Sequence, residues 1–301
     1  MSAPALRDIH TLFYRGYLKS CNYHCGYCPF HKHARNDKKR DEAALWRMVD
    51  HLPLLGTPLN VMITPYGEAL RLRYYMAALR LRYYMAALAE ISRYPHVQAV
   101  GIQTNASFSL MSLLESFRAG GGDISKLRLW CSFHPSQITA ERFLQQCLAL
   151  SAAGITWCAG AVASMKDIAQ FRWLRQRLPD QNYFWFNANE CANTRHTVEE
   201  TIAFGELDPL YVIETQQWPA QLDICTAGRK SIFMNAEGDL FACHISKIKM
   251  GNLYQQRLNS PACQAKQCHC FLAYQHRLDI PLLNHLDASR CFRIGRSCDI
   301  V

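Results

Sequence analysis

Segments that favour β-strands alternate with segments of helical periodicity through residue 205. Strands are predicted at residues 11–19, 59–64, 97–104, 127–133, 155–162 and 183–187. Helices are predicted after them, at residues 41–55, 70–93, 107–118, 139–153, 165–178 and 194–204. This alternation indicates parallel strands joined by crossover helices, and six such units are too few to close an eight-stranded barrel. We therefore predict an α/β fold, an open and partial (β/α)6 barrel of the TIM type, over residues 1–205.

Three cysteines near the start of the chain, Cys21, Cys25 and Cys28, lie in the sequence C-N-Y-H-C-G-Y-C. Three thiolates can hold three irons of a [4Fe–4S] cluster and leave the fourth iron without a protein ligand. An open metal position distinguishes a reactive metal site from a structural one. The alternative is part of a zinc site, completed by one of three nearby histidines, His24, His31 or His33.

The spacing of these cysteines resembles that of the radical SAM superfamily, and the resemblance covers nearly the whole chain. It implies that Cys21, Cys25 and Cys28 ligate a catalytic [4Fe–4S] cluster whose open iron binds S-adenosylmethionine (SAM). In that superfamily, reductive cleavage of SAM yields a 5′-deoxyadenosyl radical, which takes a hydrogen atom from the substrate. The partial barrel predicted above is also the fold of that superfamily.

Segments after three strands resemble the SAM-binding motifs of the superfamily. Gly67 and Glu68 lie in P-Y-G-E, which resembles a Gly-Gly-Glu motif with Tyr66 in place of the first glycine, and the resemblance implies that they hold the methionine end of SAM. Asn105 lies in Q-T-N-A, which resembles T-N-G with alanine in place of glycine. The resemblance also implies that Tyr27 lies along the adenine and that Ser132, after the fourth strand, contacts SAM or the substrate.

Each of these polar residues also has a structural interpretation. A carboxylate such as Glu68 is stabilised near a helix N-terminus by the helix dipole. A loop asparagine such as Asn105 often caps the helix that follows it.

Three residues at the ends of later strands are candidates for catalysis. His134 follows the fourth strand and is a candidate acid or base, although a hydrogen-bonded structural histidine is the alternative. Glu190 and Cys191 follow the sixth strand, where they would face the substrate and transfer a proton or quench a radical.

Cysteines are concentrated in the last hundred residues, and we predict a small cysteine-rich domain over residues 206–301. A β-hairpin is predicted there, with strands at 231–234 and 239–243. The region resembles the SPASM or twitch extension of radical SAM enzymes, in which a hairpin and downstream cysteines ligate an auxiliary [4Fe–4S] cluster. The resemblance implies Cys225, Cys243, Cys268 and Cys270 as ligands, with Cys263 as the substitute. A structural zinc site using His244 or His269 is the alternative.

Composition limits the class of protein and its partners. The chain has 14 cysteines, no N-terminal apolar segment typical of a secretory signal and no stretch near the ~18 apolar residues of a membrane span, so we expect a cytoplasmic protein. Its net charge of +9 favours an acidic partner, which could be an anionic cofactor, an acidic peptide or nucleic acid. We expect the substrate to be an acidic peptide or a small molecule. The scattered basic residues argue against a nucleic-acid partner. The enzyme class implies an electron donor such as flavodoxin or ferredoxin. A non-catalytic iron–sulfur or zinc protein that binds a partner or passes electrons is the alternative function.

One segment is duplicated: residues 70–78 recur without change at residues 79–87. Nine residues turn a helix by about two and a half turns, so the two copies would present opposite faces. We therefore predict that only one copy packs against the barrel.

Overall fold

The computed structural model describes residues 3–30, 37–70, 82–188, 197–216 and 218–285. Six parallel strands form its centre, each paired with the next in chain order. They are β1 (Thr11–Arg15), β2 (Leu59–Ile63), β3 (Val97–Thr104), β4 (Leu127–Ser132), β5 (Thr156–Val162) and β6 (Phe184–Asn187). All six predicted strands are confirmed, although β1 ends at Arg15, before the predicted boundary at residue 19.

A helix precedes or follows each of these strands. The helices are α1 (Lys38–His51), α2 (Arg82–Arg93), α3 (Leu110–Ala119), α4 (Ala140–Ala152), α5 (Ile168–Arg175) and α6 (Val198–Gly205). Four of them begin after a side chain that accepts a hydrogen bond from the backbone three residues later, and these caps are Asp37, Ser109, Thr139 and Thr197. The first of these caps explains why α1 begins at Lys38 and not at the predicted residue 41.

The sheet continues beyond the barrel into the C-terminal region. Strand β8 (Ser231–Asn235) pairs in parallel with β1, and β9 (Asp239–Phe241) follows it as the antiparallel partner of the predicted hairpin. Strands β10 (Lys249–Asn252) and β11 (Arg257–Leu258) complete a ten-stranded sheet. A separate antiparallel pair joins the two-residue strands β7 (Trp218–Pro219) and β12 (Gln267–Cys268). Residue 205, the predicted domain boundary, is thus spanned by one continuous sheet.

Alternate residues of each strand face two different cores. One set, which includes Leu12 and Val61, packs against the helices of the barrel. The other set packs against α7 (Tyr211–Glu214), α8 (Phe271–Tyr274) and the residues that follow α8. The strand residues in this second core are Phe13, Met62, Ala99, Trp130, Cys158 and Trp185. The C-terminal region therefore covers the face of the sheet that the helices leave free.

The described part of the second copy, residues 82–87, packs into the barrel. Tyr83 and Tyr84 are buried, and their hydroxyls donate hydrogen bonds to Asp41 of α1 at 2.5 and 3.1 Å. Residues 71–81 lie outside the described residues, so the predicted exclusion of one copy stays a prediction. No helix in the described part of the chain is both long and apolar enough to cross a membrane.

Candidate active site

A cavity of about 600 Å³ lies at the carboxyl ends of the parallel strands. Most of the residues predicted from the sequence line it, namely Cys21, Cys25, Tyr27, Cys28, Gly67, Glu68, Asn105, Ser132, His134 and Cys270. The carboxyl ends of parallel strands meet at one edge of a barrel, which is why residues far apart in sequence converge there.

The three N-terminal cysteines lie in the loop that follows β1. The backbone N–H of Cys28 donates to the carbonyl of Cys25 at 3.2 Å, which turns the loop so that both thiols line the cavity. The Cys21 sulfur accepts a 3.4 Å contact from the backbone N–H of Tyr23 and a 3.8 Å contact from the side-chain amide of Asn105. The loop is thus attached to the end of β3 at its first cysteine.

Gly67 allows the segment after β2 to pack directly on this loop. A methyl group added at Gly67 would lie 1.9 Å from the carbonyl oxygen of Ser20, the residue before Cys21. The backbone N–H groups of Gly67 and Glu68 donate to the carbonyls of Leu18 and Ser20 at 3.1 and 2.9 Å. Only glycine permits this close approach of two backbones.

The carboxylate of Glu68 joins the ends of β2 and β3. It is 2% exposed and accepts hydrogen bonds from the Thr104 hydroxyl at 2.8 Å, from the Asn105 backbone at 2.6 Å and from the Leu70 backbone at 2.9 Å. This hydrogen-bond network fixes the backbone that lines the cavity. Its structural role is therefore compatible with the predicted role of Glu68 as a SAM ligand.

The amide of Asn105 is held at both ends. Its Nδ2 donates to Oδ1 of Asn22 at 3.0 Å, and its Oδ1 accepts from the backbone of Ser107 at 3.0 Å. Asn105 therefore does not cap α3, whose cap is Ser109. Ala106 has a φ of +58°, which explains why the superfamily motif that this segment resembles has glycine there.

Tyr27 and His134 form a pair at the cavity wall. The two rings stack with centroids 5.9 Å apart, and the Tyr27 hydroxyl lies 2.7 Å from Nδ1 of His134. Burial, followed by the nearby Cys25 thiol, raises the pKa of Tyr27 well above its ordinary value. Tyr27 therefore stays protonated. Its hydroxyl can donate to a neutral imidazole or accept from a protonated one, so it positions His134 in both charge states.

Sequence analysis did not identify Arg15, which ends β1 and lines the same cavity. Its guanidinium carbon lies 4.9 Å from the centroid of the Tyr66 ring and 5.4 Å from that of Phe30. The signal that would have found it is its position, because a charged residue at the carboxyl end of a barrel strand is a candidate for function.

Cys270 is the one described C-terminal cysteine that lines the cavity. Its sulfur is 3.0 Å from Nε2 of His244, and both residues line the cavity. Burial and the nearby charge of Arg15 lower the pKa of His244 to about 3, so its ring is neutral at physiological pH.

Three of the other described C-terminal cysteines, Cys225, Cys243 and Cys268, have pKa values that neighbouring cysteines help to raise. Electrostatic repulsion from Cys268 and Cys263 adds to burial in raising the pKa of Cys225. Burial, with further contributions from Cys225 and Cys263, raises the pKa of Cys243 to about 11. Burial and the nearby Cys263 also raise the pKa of Cys268. The structure thus groups Cys263 with the hairpin cysteines and places Cys270 with the cavity.

Several predicted residues lie outside the described residues. They are Glu190, Cys191, His31 and His33. Three further cysteines, Cys131, Cys147 and Cys158, are described and lie in the core with 1% exposure or less.

The separation of the thiols bears on which metal group each set of cysteines would hold. No three His, Cys, Asp or Glu side chains in the described ranges lie close enough together to hold one metal ion. A [4Fe–4S] cluster takes one thiolate per iron, so its ligands stand farther apart than those of a single tetrahedral zinc. Cysteines that share a cavity or a burial site without converging on one point match that requirement.

Comparison with known proteins shows the fold. No family model and no curated protein matches the sequence. SuiB from Streptococcus suis bound to S-adenosylmethionine aligns with a TM-score of 0.53 at 14% identity, over 82% of this chain and 64% of that chain. SuiB bound to the precursor peptide SuiA aligns with a TM-score of 0.52 at 13% identity, over 96% and 70% of the two chains. The enzyme anSMEcpe with bound AdoMet and the Cp18Cys peptide aligns with a TM-score of 0.50 at 12% identity, over 81% and 77%.

The chain therefore spans 64% of the length of the first of these structures. The predicted fold class, an α/β partial (β/α)6 barrel with a C-terminal region that contains a β-hairpin, is confirmed.

Proposed function

We propose that the protein is a radical SAM enzyme with an auxiliary iron–sulfur cluster. One observation carries the proposal: the Cys21, Cys25 and Cys28 loop, the Gly67–Glu68 segment and Asn105 line a single cavity at the carboxyl ends of parallel strands. A zinc fragment or an electron carrier requires no second motif beside its cysteines. The solved structures with this fold include enzymes with bound SAM, which supports the proposal.

The residues of the chain bind and position, while the cofactors supply the radical chemistry. The cluster and SAM, when bound, supply a reductive cleavage that yields a 5′-deoxyadenosyl radical able to take a hydrogen atom from a substrate. Cys21, Cys25 and Cys28 would hold the catalytic cluster. Gly67 lets the backbone approach the loop, and Glu68 joins the ends of β2 and β3, so this segment would hold the methionine end of SAM.

The remaining cavity residues have proposed roles in binding. Tyr27 would lie along the adenine through its backbone, while its hydroxyl holds His134 at 2.7 Å. Ser132 lines the cavity at the end of β4 and would contact SAM or the substrate. His134 is the described candidate for moving a proton, and Glu190 and Cys191 stay predictions.

We place the auxiliary cluster on Cys225, Cys243, Cys263 and Cys268. Cys263 is among the groups that raise the pKa values of Cys225, Cys243 and Cys268, whereas Cys270 lines the cavity, and both observations support this set. Burial raises the pKa of Cys268, and the hydrogen bond and charge of Arg277 offset part of that rise, which favours the thiolate, the form that binds iron. This set differs from the one that the sequence favoured by using Cys263 in place of Cys270.

The substrate would lie between the two clusters, where α8 and the Cys270 region cover the cavity. A peptide is one candidate class, because SuiB with this fold was solved bound to a precursor peptide. The net charge of +9 favours an acidic peptide or small molecule. Flavodoxin or ferredoxin is the proposed electron donor.

The direct test is SAM cleavage by the anaerobically reconstituted protein with dithionite as reductant. We expect 5′-deoxyadenosine from the unmodified chain and none from a Cys21/Cys25/Cys28→Ala variant. Cys147→Ala, which removes a buried thiol of α4, is the control and should retain cleavage. A reconstituted protein that holds iron but neither binds SAM nor changes its cluster EPR signal with SAM would be an electron carrier instead.

A further inference from the structure

Arg15 is a buried cation in the wall of the cavity. It is 9% exposed, and its Nε donates to the carbonyl of Thr64 at 2.7 Å. The rings of Tyr66, Phe30 and Phe233 surround its guanidinium, with centroids 4.9 to 5.6 Å from the guanidinium carbon. These contacts hold the guanidinium in place but supply no negative charge.

No carboxylate among the described residues lies within ion-pair distance of Arg15. Arg277 is a useful comparison, because its side chain is 3% exposed and pairs with Asp279 at 2.7 Å. A buried charge is costly unless an opposite charge compensates it. Of the two buried arginines in the described part of the chain, Arg277 is paired with a carboxylate, and Arg15, which lines a cavity, has aromatic rings and the Cys270 thiol as neighbours.

The two acids that line the cavity are engaged elsewhere. Glu68 accepts hydrogen bonds from Thr104, Asn105 and Leu70. Glu214 accepts a hydrogen bond from the Tyr274 hydroxyl. Arg15 is the one arginine or lysine among the described residues that line the cavity, and the indole rings of Trp130 and Trp185, which also line it, lower the polarity of its wall.

We infer that Arg15 binds an oxyanion of the substrate, a carboxylate or a phosphate, inside this cavity. The planar guanidinium can donate two parallel hydrogen bonds to either group, and Nε is already fixed by Thr64. The inference rests on the proposed function, because it names the substrate class for the same cavity. It also gives the acidic substrate expected from the net charge a specific site of recognition.

The test uses three probes of one shape: phenylacetate, phenyl phosphate and neutral phenylacetamide. Each is titrated into the reconstituted protein with SAM present, and binding is followed by tryptophan fluorescence. We expect at least one anion to bind about tenfold or more tightly than the amide, a difference that salt reduces. The anion that binds better identifies the substrate group. Equal affinity for all three probes overturns the inference.

Variants and chemical labelling assign the effect to Arg15. Arg15→Gln should abolish the preference for the anion, Arg15→Lys should retain part of it, and Arg172→Gln, an exposed arginine of α5, should leave it unchanged. If Arg15→Gln loses its fold or its iron, phenylglyoxal labelling of the unmodified protein replaces it. The anion, and not the amide, should slow modification of Arg15 as mapped by mass spectrometry; equal rates overturn the inference.

Two further outcomes separate this inference from the proposed function. SAM affinity should change less than about twofold in Arg15→Gln, and a large loss of SAM affinity with the anion preference intact would assign Arg15 to SAM and overturn the inference. Formation of 5′-deoxyadenosine by the unmodified chain tests the proposed function alone. Cleavage without anion preference therefore defeats only the substrate inference, and anion preference without cleavage defeats the radical SAM assignment.

Discussion

The backbone N–H of Asn105 donates a 2.6 Å hydrogen bond to the carboxylate of Glu68, and this bond ties the end of β3 to the segment after β2. The carboxylate also accepts from Thr104 and Leu70, so three donors converge on one buried acid. The side chain of Asn105 continues the connection to Asn22 in the cysteine loop. The segment after β2, the end of β3 and the loop of Cys21, Cys25 and Cys28 are thus one hydrogen-bonded unit.

Replacing Glu68 by glutamine should destabilise this unit. An amide group would direct N–H donors at the N–H of Asn105 or the hydroxyl of Thr104, and an unsatisfied buried polar group costs about 1–3 kcal/mol. We expect the free energy of unfolding to fall by that amount and SAM affinity to fall with it, measured by urea unfolding and equilibrium binding. Glu115→Gln, at an exposed position of α3, should change neither. An unchanged urea midpoint for Glu68→Gln would contradict the role of the network.

Gly67→Ala should disturb the cysteine loop, whereas Gly26→Ala should not. A methyl at Gly67 would lie 1.9 Å from the carbonyl oxygen of Ser20, while one at Gly26 meets nothing within 4 Å. The loop must shift to relieve the first clash, which moves Cys21 away from its partners. We expect Gly67→Ala to lose about four irons and SAM cleavage on reconstitution, and Gly26→Ala to keep both. Equal iron content in the two variants would refute this explanation of Gly67.

The sequence predicted the barrel strands and the hairpin because each depends on local pattern. Residues 97–104 are rich in the β-branched side chains that favour strands, and β3 has the same bounds in the structure. The position of Cys263 could not be predicted in the same way, because cysteine spacing does not determine which thiols lie together. Likewise, the pairing of β8 with β1 joins residues more than two hundred positions apart, and no local signal specifies it. Arg15 was missed because its lack of an acidic partner is a property of the folded chain.

Asp41 should make stability depend on pH in a direction opposite to that of an ordinary salt-bridged acid. Burial raises its pKa above the ordinary value, although hydrogen bonds from Tyr83 and Tyr84 lower it in part. A group whose pKa is higher in the folded state binds more protons there, so unfolding free energy falls as pH rises from the unfolded toward the folded pKa. Above the folded pKa the difference stays constant.

The measurement compares Asp41→Asn with the unmodified chain by urea unfolding from about pH 4 to about pH 7. We expect the unmodified chain to lose stability relative to the variant as pH rises, since asparagine has no proton to release. Asp50→Asn, at an exposed position of the same helix, is the control and should lack this trend. A relative gain in stability with rising pH would mean that the hydrogen bonds outweigh burial and lower the pKa of Asp41.

Cys263 and Cys270 provide the sharpest test of the C-terminal site. The proposed auxiliary set contains Cys263, which raises the pKa values of Cys225, Cys243 and Cys268 by proximity. Cys270 instead lies 3.0 Å from His244 in the cavity wall. We therefore expect Cys263→Ala to lose about four irons with their sulfide, while the triad cluster and its response to SAM persist. Cys270→Ala should retain the iron of both clusters. Iron and sulfide analysis with EPR decides the matter, and loss of the auxiliary iron in Cys270→Ala but not in Cys263→Ala would restore the ligand set that the sequence alone favoured.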